Sequence, residues 1–294
     1  MNLPGRLGAV TLPDGRNMDY WEGGASDGTP LLFMPGTPSC RWQGAHGHPD
    51  AVEAGCRLLS ISRPGYGDTT STPPGLASVG RDAVDLADAL DLDRFGVLGL
   101  SGGGPYAVAA ALAGGPRVTV LGVVAGIGPW TVLNEPDDSS RLERDLLARA
   151  AAGDVEGALT GFREEFAASV AELLGREDGP MIDAFLDVVL AGDEDLFDDT
   201  FRAVWIADVR EGLRSHDGYA RDNVSWGGEW DIDPGGVRVP THLWYGADDR
   251  AVPPSHGIWL AEQIPGCRLT IRRDQDHGHV AFSFWAETFA AMRP

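Results

Sequence analysis

The distribution of apolar positions divides the chain into an alternating part and a helical part. Leu7–Leu12 and Asn17–Glu22 are strand-length segments joined by the turn Pro13-Asp14-Gly15, and they predict a hairpin at a sheet edge. Pro30–Met34, Cys56–Ile61, Phe95–Leu100 and Val118–Val124 are apolar over most of their length, the pattern of strands covered on both faces. Helices are expected between them, over about Trp42–Ala54, over Val79–Leu90 with Val79, Ala83, Leu86, Ala87 and Leu90 at helical spacing, and over Tyr106–Leu112. Strands that alternate with helices in this way imply parallel βαβ units.

The alternation breaks at Gly128-Pro129-Trp130. Residues 131–235 contain no convincing strand pattern but four helix-like stretches, Ser139–Ala152, Val155–Leu174, Met181–Ala191 and Leu196–Leu213, separated by short Gly and Asp breaks. This segment holds Phe162, Phe166, Met181, Phe185, Phe197, Trp205, Trp226 and Trp230. The strand pattern resumes at Thr241–Tyr245, followed by a helix at Ser255–Ile264, a strand at Arg268–Ile271 and a closing helix at Val280–Met292. The expected fold is therefore α/β: a mostly parallel, doubly wound sheet built from residues 1–130 and 236–294, with a helical cap inserted at 131–235.

Composition narrows the chemistry. The chain of 294 residues carries a formal net charge of −21, which weighs against nucleic acid or an anionic membrane surface as partner. All 23 basic residues are arginine. Without lysine there is no Schiff-base chemistry, no lysine-anchored pyridoxal phosphate and no Walker-type phosphate loop. Cys40, Cys56 and Cys267 are far apart and odd in number, so neither a zinc site nor a disulfide framework is expected. The first residues lack the basic-then-apolar pattern of a signal peptide, and no apolar run approaches the roughly 20 residues of a membrane span. A cytoplasmic protein with no cofactor and no metal, acting on a small molecule, is expected; its oligomeric state is open.

The candidate chemistry centres on Gly99-Leu100-Ser101-Gly102-Gly103, lying between an expected strand and an expected helix. A serine on a sharp strand-to-helix turn exposes its hydroxyl, and glycines at the second neighbours make room for the turn. The following helix directs its first N–H groups toward the same point. Such a serine needs a base, and the base needs an orienting acid. In an open parallel sheet these groups come from loops at the C-terminal strand ends. The loop after Thr241–Tyr245 offers Asp248 and Asp249, and the loop after Arg268–Ile271 offers His277 and His279. The remaining five histidines fit less well, lying before the turn (His46, His48), in the insertion (His216), in a strand (His242) or at a helix start (His256).

Five segments together resemble the α/β-hydrolase superfamily with a helical lid, in its esterase-like branch, over essentially the whole chain. Phe33-Met34-Pro35-Gly36-Thr37-Pro38 is similar to the family's oxyanion loop H-G-x-P, and Ser62-Arg63-Pro64-Gly65-Tyr66-Gly67 to its D-R-P-G-x-G turn. Gly99–Gly103 resembles the elbow, Gly246–Pro253 the acid loop G-x-x-D-x-x-V-P, and Gly278-His279 the terminal G-H. The resemblance implies Ser101 as nucleophile, Asp249 as acid, and His279, which directly follows a glycine, as base. It also implies an oxyanion hole made by the backbone N–H groups of Thr37 and Gly102. Serine at the elbow excludes the epoxide hydrolases and haloalkane dehalogenases of this scaffold, which use aspartate there. Pro35 stands where the family usually has histidine and Ser62 where it usually has aspartate. Cys40, near the oxyanion loop, reads as a buried thiol rather than a second nucleophile.

The function implied is hydrolysis of an ester, thioester or lactone of a small apolar substrate, through an acyl-enzyme. The same three residues also serve C–C bond hydrolysis, peptide hydrolysis, and acyl transfer or cyclisation; a non-catalytic small-molecule binder is the remaining alternative. The substrate pocket is expected under the insertion, with Trp130, Phe166, Trp205 and Trp226 as candidate lining residues.

Overall fold

The computed structural model describes residues 3–133, 141–189, 198–283 and 285–293, with side chains of 184–189 excepted. Eight strands form one sheet in the order β1-β2-β4-β3-β5-β6-β7-β8. They are β1 (Arg6–Thr11), β2 (Asn17–Gly24), β3 (Thr29–Met34), β4 (Cys56–Ile61), β5 (Phe95–Leu100), β6 (Val118–Val124), β7 (Thr241–Gly246) and β8 (Arg268–Arg272). β1 pairs antiparallel with β2, and β2 antiparallel with β4, so the expected hairpin forms the sheet edge. The five remaining pairings are parallel.

Side-chain alternation explains why the central strands read as unbroken apolar runs. Along β5, Phe95 and Val97 enter one buried cluster while Leu98 and Leu100 enter another. Leu32 and Met34 against Leu31 and Phe33 on β3, and Leu243 and Tyr245 against Trp244 on β7, divide in the same way. One face is covered by α2 (Leu76–Ala89), α3 (Gly104–Gly114) and α10 (Pro254–Gln263), the other by α1 (His48–Ala54) and α12 (Trp285–Ala291). Gly80 lets α2 lie directly on α3, since a Cβ there would sit 2.6 Å from the Ala109 carbonyl.

A short helix, α4 (Trp130–Leu133), follows β6. The segment before β7 then forms α5 (Arg141–Ala151), α6 (Val155–Leu174), α7 (Asp178–Val189), α8 (Asp199–Gly212) and α9 (Asp217–Gly227). The Asp breaks seen in the sequence are helix N-caps: Asp154 accepts from the Gly157 N–H and Asp198 from the Phe201 N–H. α9 is not foreseen by apolar periodicity, because it buries Arg221, Asp222, Asn223 and Ser225. The closing helix differs from expectation as well. α11 (His277–Phe282) begins three residues early, and α12 is a separate helix.

Candidate functional site

The turn from β5 into α3 is as tight as its sequence implies. Ser101 has φ +51°, a left-handed conformation that a non-glycine residue holds only under constraint. A Cβ at Gly99 would lie 2.6 Å from the Gly103 carbonyl oxygen, and a Cβ at Gly103 would collide with the carbonyls of Met34 and Pro35. The two glycines are thus required by backbone contact, and Ser101 is left half-buried at the sheet's C-terminal edge.

Asp249 follows β7 and its side chain is fully buried. Its Oδ1 accepts the N–H groups of Ala251 (2.9 Å) and Val252 (2.7 Å), which fixes the carboxylate. Its Oδ2 lies 2.7 Å from His277 Nδ1, and His277 Nε2 lies 3.1 Å from Ser101 Oγ. A carboxylate oxygen accepts, so Nδ1 carries the proton and Nε2 presents its lone pair to the serine hydroxyl. Asp248, the neighbouring alternative, is exposed.

The structure departs from the resemblance in its choice of histidine: it is His277 that stands between Asp249 and Ser101. His279, which the resemblance favours, is engaged by its own helix cap: its Nδ1 lies 2.7 Å from Asp276 Oδ1, and its backbone N–H donates to the same oxygen. The cause is local. The chain leaves β8 through Asp274 at φ +57°, and Asp276 then caps α11. His277 is the first residue of that helix and faces the acid loop. Two residues on, a helix has turned by about 200°, so the second imidazole points elsewhere.

The Pro35–Trp42 loop abuts the serine. The Cβ position of Gly36 is 3.5 Å from Ser101 Cβ, and that of Gly102 is 3.2 Å from Thr37 N. The Gly36 N–H is held by Gln43 Oε1 at 2.6 Å, whereas the Thr37 N–H has no acceptor among the described residues. The two departures from the family pattern are accommodated here. The Pro35 carbonyl accepts from Arg63 Nη1, and Ser62 Oγ accepts the Arg41 N–H at 3.1 Å.

Helices α8 and α9 reach down to this loop. Ser39 Oγ donates to Asp208 Oδ2 (2.5 Å), and the Cys40 N–H donates to Asp208 Oδ1 (2.9 Å). Burial pushes the Asp208 carboxyl up to about 6 despite these donors. Glu211 accepts from Trp42 Nε1 at 3.0 Å and pairs with Arg41. Burial, reinforced by Asp208, also raises the Cys40 thiol well above its ordinary value, which makes it an inert thiol. Asp222 on α9 accepts from Arg63, Thr37, Tyr66 and Tyr106. Burial and the Asp222 carboxylate raise both tyrosine hydroxyls, so they remain protonated donors. Arg63 carried a readable signal as part of the Ser62–Gly67 turn; Asp222 and Asp208 carried none.

The four aromatic residues expected at the pocket pack in two places. Trp130 and Trp226 meet edge to face at 5.3 Å. Phe166 stacks on Tyr219 at 4.0 Å, and Trp205 packs with His46 and Phe282. The side chain of Phe185 and all of Phe197 lie outside the described residues. A cavity of about 270 Å³ opens beside α8, lined by His46, Phe201, Val204, Phe282 and Trp285 among others. No helix among the described residues is long and apolar enough to cross a membrane.

The chain is similar to several known proteins. An uncharacterized hydrolase, YcgS, of Bacillus subtilis is 33% identical over 117 residues, covering 40% of this chain and only 40% of the relative. A 2-hydroxy-6-oxononadienedioate/2-hydroxy-6-oxononatrienedioate hydrolase of Cupriavidus pinatubonensis is 27% identical over 225 residues, 75% of this chain and 69% of the relative. Among solved structures, an esterase from Exiguobacterium antarcticum superposes with a TM-score of 0.68 at 17% identity, over 96% of this chain and 97% of the other. The enol-lactonase from Burkholderia xenovorans gives 0.65 at 18% identity, over 97% and 99%. These likenesses establish the shared sheet. The model of the alpha/beta hydrolase family matches residues 31–291, from β3 to the end of α12, and the chain belongs to that family.

Proposed function

We propose that this protein is a serine hydrolase that cleaves a carboxylic ester, thioester or lactone of a small, uncharged substrate through an acyl-enzyme. The observation that carries this reading is the hydrogen-bonded series Asp249–His277–Ser101, at 2.7 and 3.1 Å. Ser101 Oγ attacks the carbonyl carbon while His277 Nε2 takes its proton. The oxyanion accepts from the N–H groups of Thr37 and Gly102. The imidazolium, stabilised by Asp249, then protonates the departing alkoxide, thiolate or ring oxygen. Water repeats the sequence on the acyl-enzyme, and Ser101 regains its proton.

The Cupriavidus relative favours a second reading, hydrolysis of an unsaturated oxo-dioate by carbon–carbon cleavage. A dianionic substrate needs cations to meet it. The two buried arginines beside the Pro35–Trp42 loop are already committed, Arg63 to Asp222 and Arg41 to Glu211 and Asp19, which supports the uncharged ester.

A fluorophosphonate probe tests the reading. It should label Ser101, and Ser101→Ala should abolish labelling. A folded wild type that resists the probe overturns the proposal. Hydrolysis of nitrophenyl esters at rates that fall with longer or bulkier acyl groups favours the ester reading over carbon–carbon cleavage.

A further inference from the structure

Asp222 is fully buried, and its carboxylate collects donors from three separate parts of the core. Oδ1 accepts from Arg63 Nε (3.2 Å) and Tyr106 OH (2.8 Å). Oδ2 accepts from Thr37 Oγ1 (2.6 Å), Tyr66 OH (2.9 Å) and Arg63 Nη2. Neither member of the Arg63–Asp222 pair has exposed side-chain area. Burial disfavours the guanidinium, but the Asp222 carboxylate more than offsets this and holds Arg63 charged. The faces of Tyr66 and Tyr106 lie 5.2 and 5.0 Å from its central carbon, a further support for the cation.

What Arg63 does with its remaining donors matters more. Nη1 donates to the Pro35 carbonyl and Nη2 to the Gly36 carbonyl at 2.9 Å. The Gly36 C=O and the Thr37 N–H belong to one planar trans peptide unit and point in opposite directions. A guanidinium that fixes that carbonyl therefore fixes the direction of the Thr37 N–H. With the carbonyl drawn toward Arg63, the N–H is directed away from it, and its nitrogen lies 3.2 Å from the Cβ position of Gly102.

We propose that Asp222 and Arg63 are positioning residues for the oxyanion hole: Asp222, carried on α9, holds Arg63, and Arg63 orients the Gly36–Thr37 peptide so that the Thr37 N–H faces the reacting carbonyl oxygen. This rests on the hydrolase reading above and adds a dependence that reading does not contain. The inserted helix completes the site electrostatically. Lifting α9 would leave Arg63 charged and unpaired in a buried position, so this end of the insertion stays closed during turnover.

The test compares wild type with Asp222→Asn and Arg63→Lys, each first checked by near-UV circular dichroism and thermal unfolding. Asn keeps the shape and removes the charge; Lys keeps the charge and removes the fork that reaches two carbonyls. Loss of an oxyanion donor costs on the order of 10²–10³-fold in rate, so misalignment should slow fluorophosphonate labelling of Ser101 by about 10- to 100-fold. For a short nitrophenyl ester, kcat should fall by a similar factor while KM changes less than about threefold. Affinity for a trifluoromethyl ketone, whose adduct carries the oxyanion, should fall with kcat. A merely structural role would not separate kcat from KM in this way. Folded variants that label at the wild-type rate overturn the proposal. Should both fail to fold, Tyr66→Phe, which removes a single donor to Asp222, takes their place: a severalfold loss of kcat at constant KM supports the proposal, and unchanged kcat overturns it. A wild type that is itself not labelled overturns the hydrolase reading, and this proposal falls with it; only in that outcome is the wild type silent.

Discussion

His277 Nδ1 and Asp249 Oδ2 are 2.7 Å apart, although the two residues come from different loops and the histidine of the family-like Gly278-His279 pair lies two positions further on. His277 is therefore the histidine whose loss should abolish turnover. His277→Ala should lower kcat/KM by at least about 10³-fold, and Asp249→Asn by about 10⁴-fold through the wrong tautomer. His279→Ala should stay within about tenfold of wild type. Ester hydrolysis by the three purified variants decides between the histidines; the reverse ranking would restore His279 as base.

The strain at Ser101 makes an unusual sign testable. In ordinary helix, Ala→Gly is destabilising by roughly 0.5–1 kcal/mol. At φ +51° a Cβ is itself unfavourable, so Ser101→Gly should be more stable than Ser101→Ala by about 1 kcal/mol. Both lack the hydroxyl, so urea midpoints of the two inactive variants isolate the Cβ. A more stable alanine variant would show that the backbone relaxes without it.

Asp208 links stability to pH. Its folded value of about 6 lies above the ordinary 3.8, so the native state holds this proton more tightly than the unfolded chain. Its contribution is complete below about pH 4 and is lost as pH rises through 6. Asp208→Asn keeps an acceptor for the Cys40 N–H and does not titrate. Between pH 4 and pH 8 it should gain on wild type by about 2 kcal/mol, most of the effect of a shift of about two units. A difference independent of pH in urea unfolding would refute this.

His46 acts in the opposite direction. It is buried among Phe201, Trp205 and Phe282, and burial lowers it from 6.5 to about 3. The native state keeps this imidazole neutral. Its contribution is present above pH 6.5 and is lost as pH falls toward 3. His46→Phe should gain on wild type by about 2–3 kcal/mol on going from pH 7.5 to 4.5. Equal acid sensitivity of the two proteins would show that protonated His46 is accommodated.

The parts of the site legible in the sequence were those fixed by backbone necessity. Gly99 and Gly103 are demanded by contacts with carbonyls, and the strand-end positions of Ser101 and Asp249 follow from the apolar runs of β5 and β7. The base was not settled by the residues, because Asp276-His277-Gly278-His279 offers two imidazoles and the choice depends on where α11 starts. A capping aspartate at 276 starts it early. α9 was hidden for a different reason. Its buried face carries Arg221, Asp222, Asn223 and Ser225, so a helix that serves polar pairing shows no apolar periodicity. Asp208 was likewise buried for a hydrogen bond rather than for packing.

The bond from Thr37 to Asp222 spans 185 positions of chain. At translation rates of roughly 5–20 residues per second, Asp222 is made about 10–40 s after the loop it steadies. A nascent chain can therefore build β1–β6 and present Ser101 well before the Pro35–Thr37 backbone is secured. Under the proposed mechanism reactivity waits longer still, until Asp249 and His277 have followed Asp222. Substitutions in the Asp222 cluster should accelerate unfolding more than they slow folding, because so distant a contact forms after the sheet has nucleated.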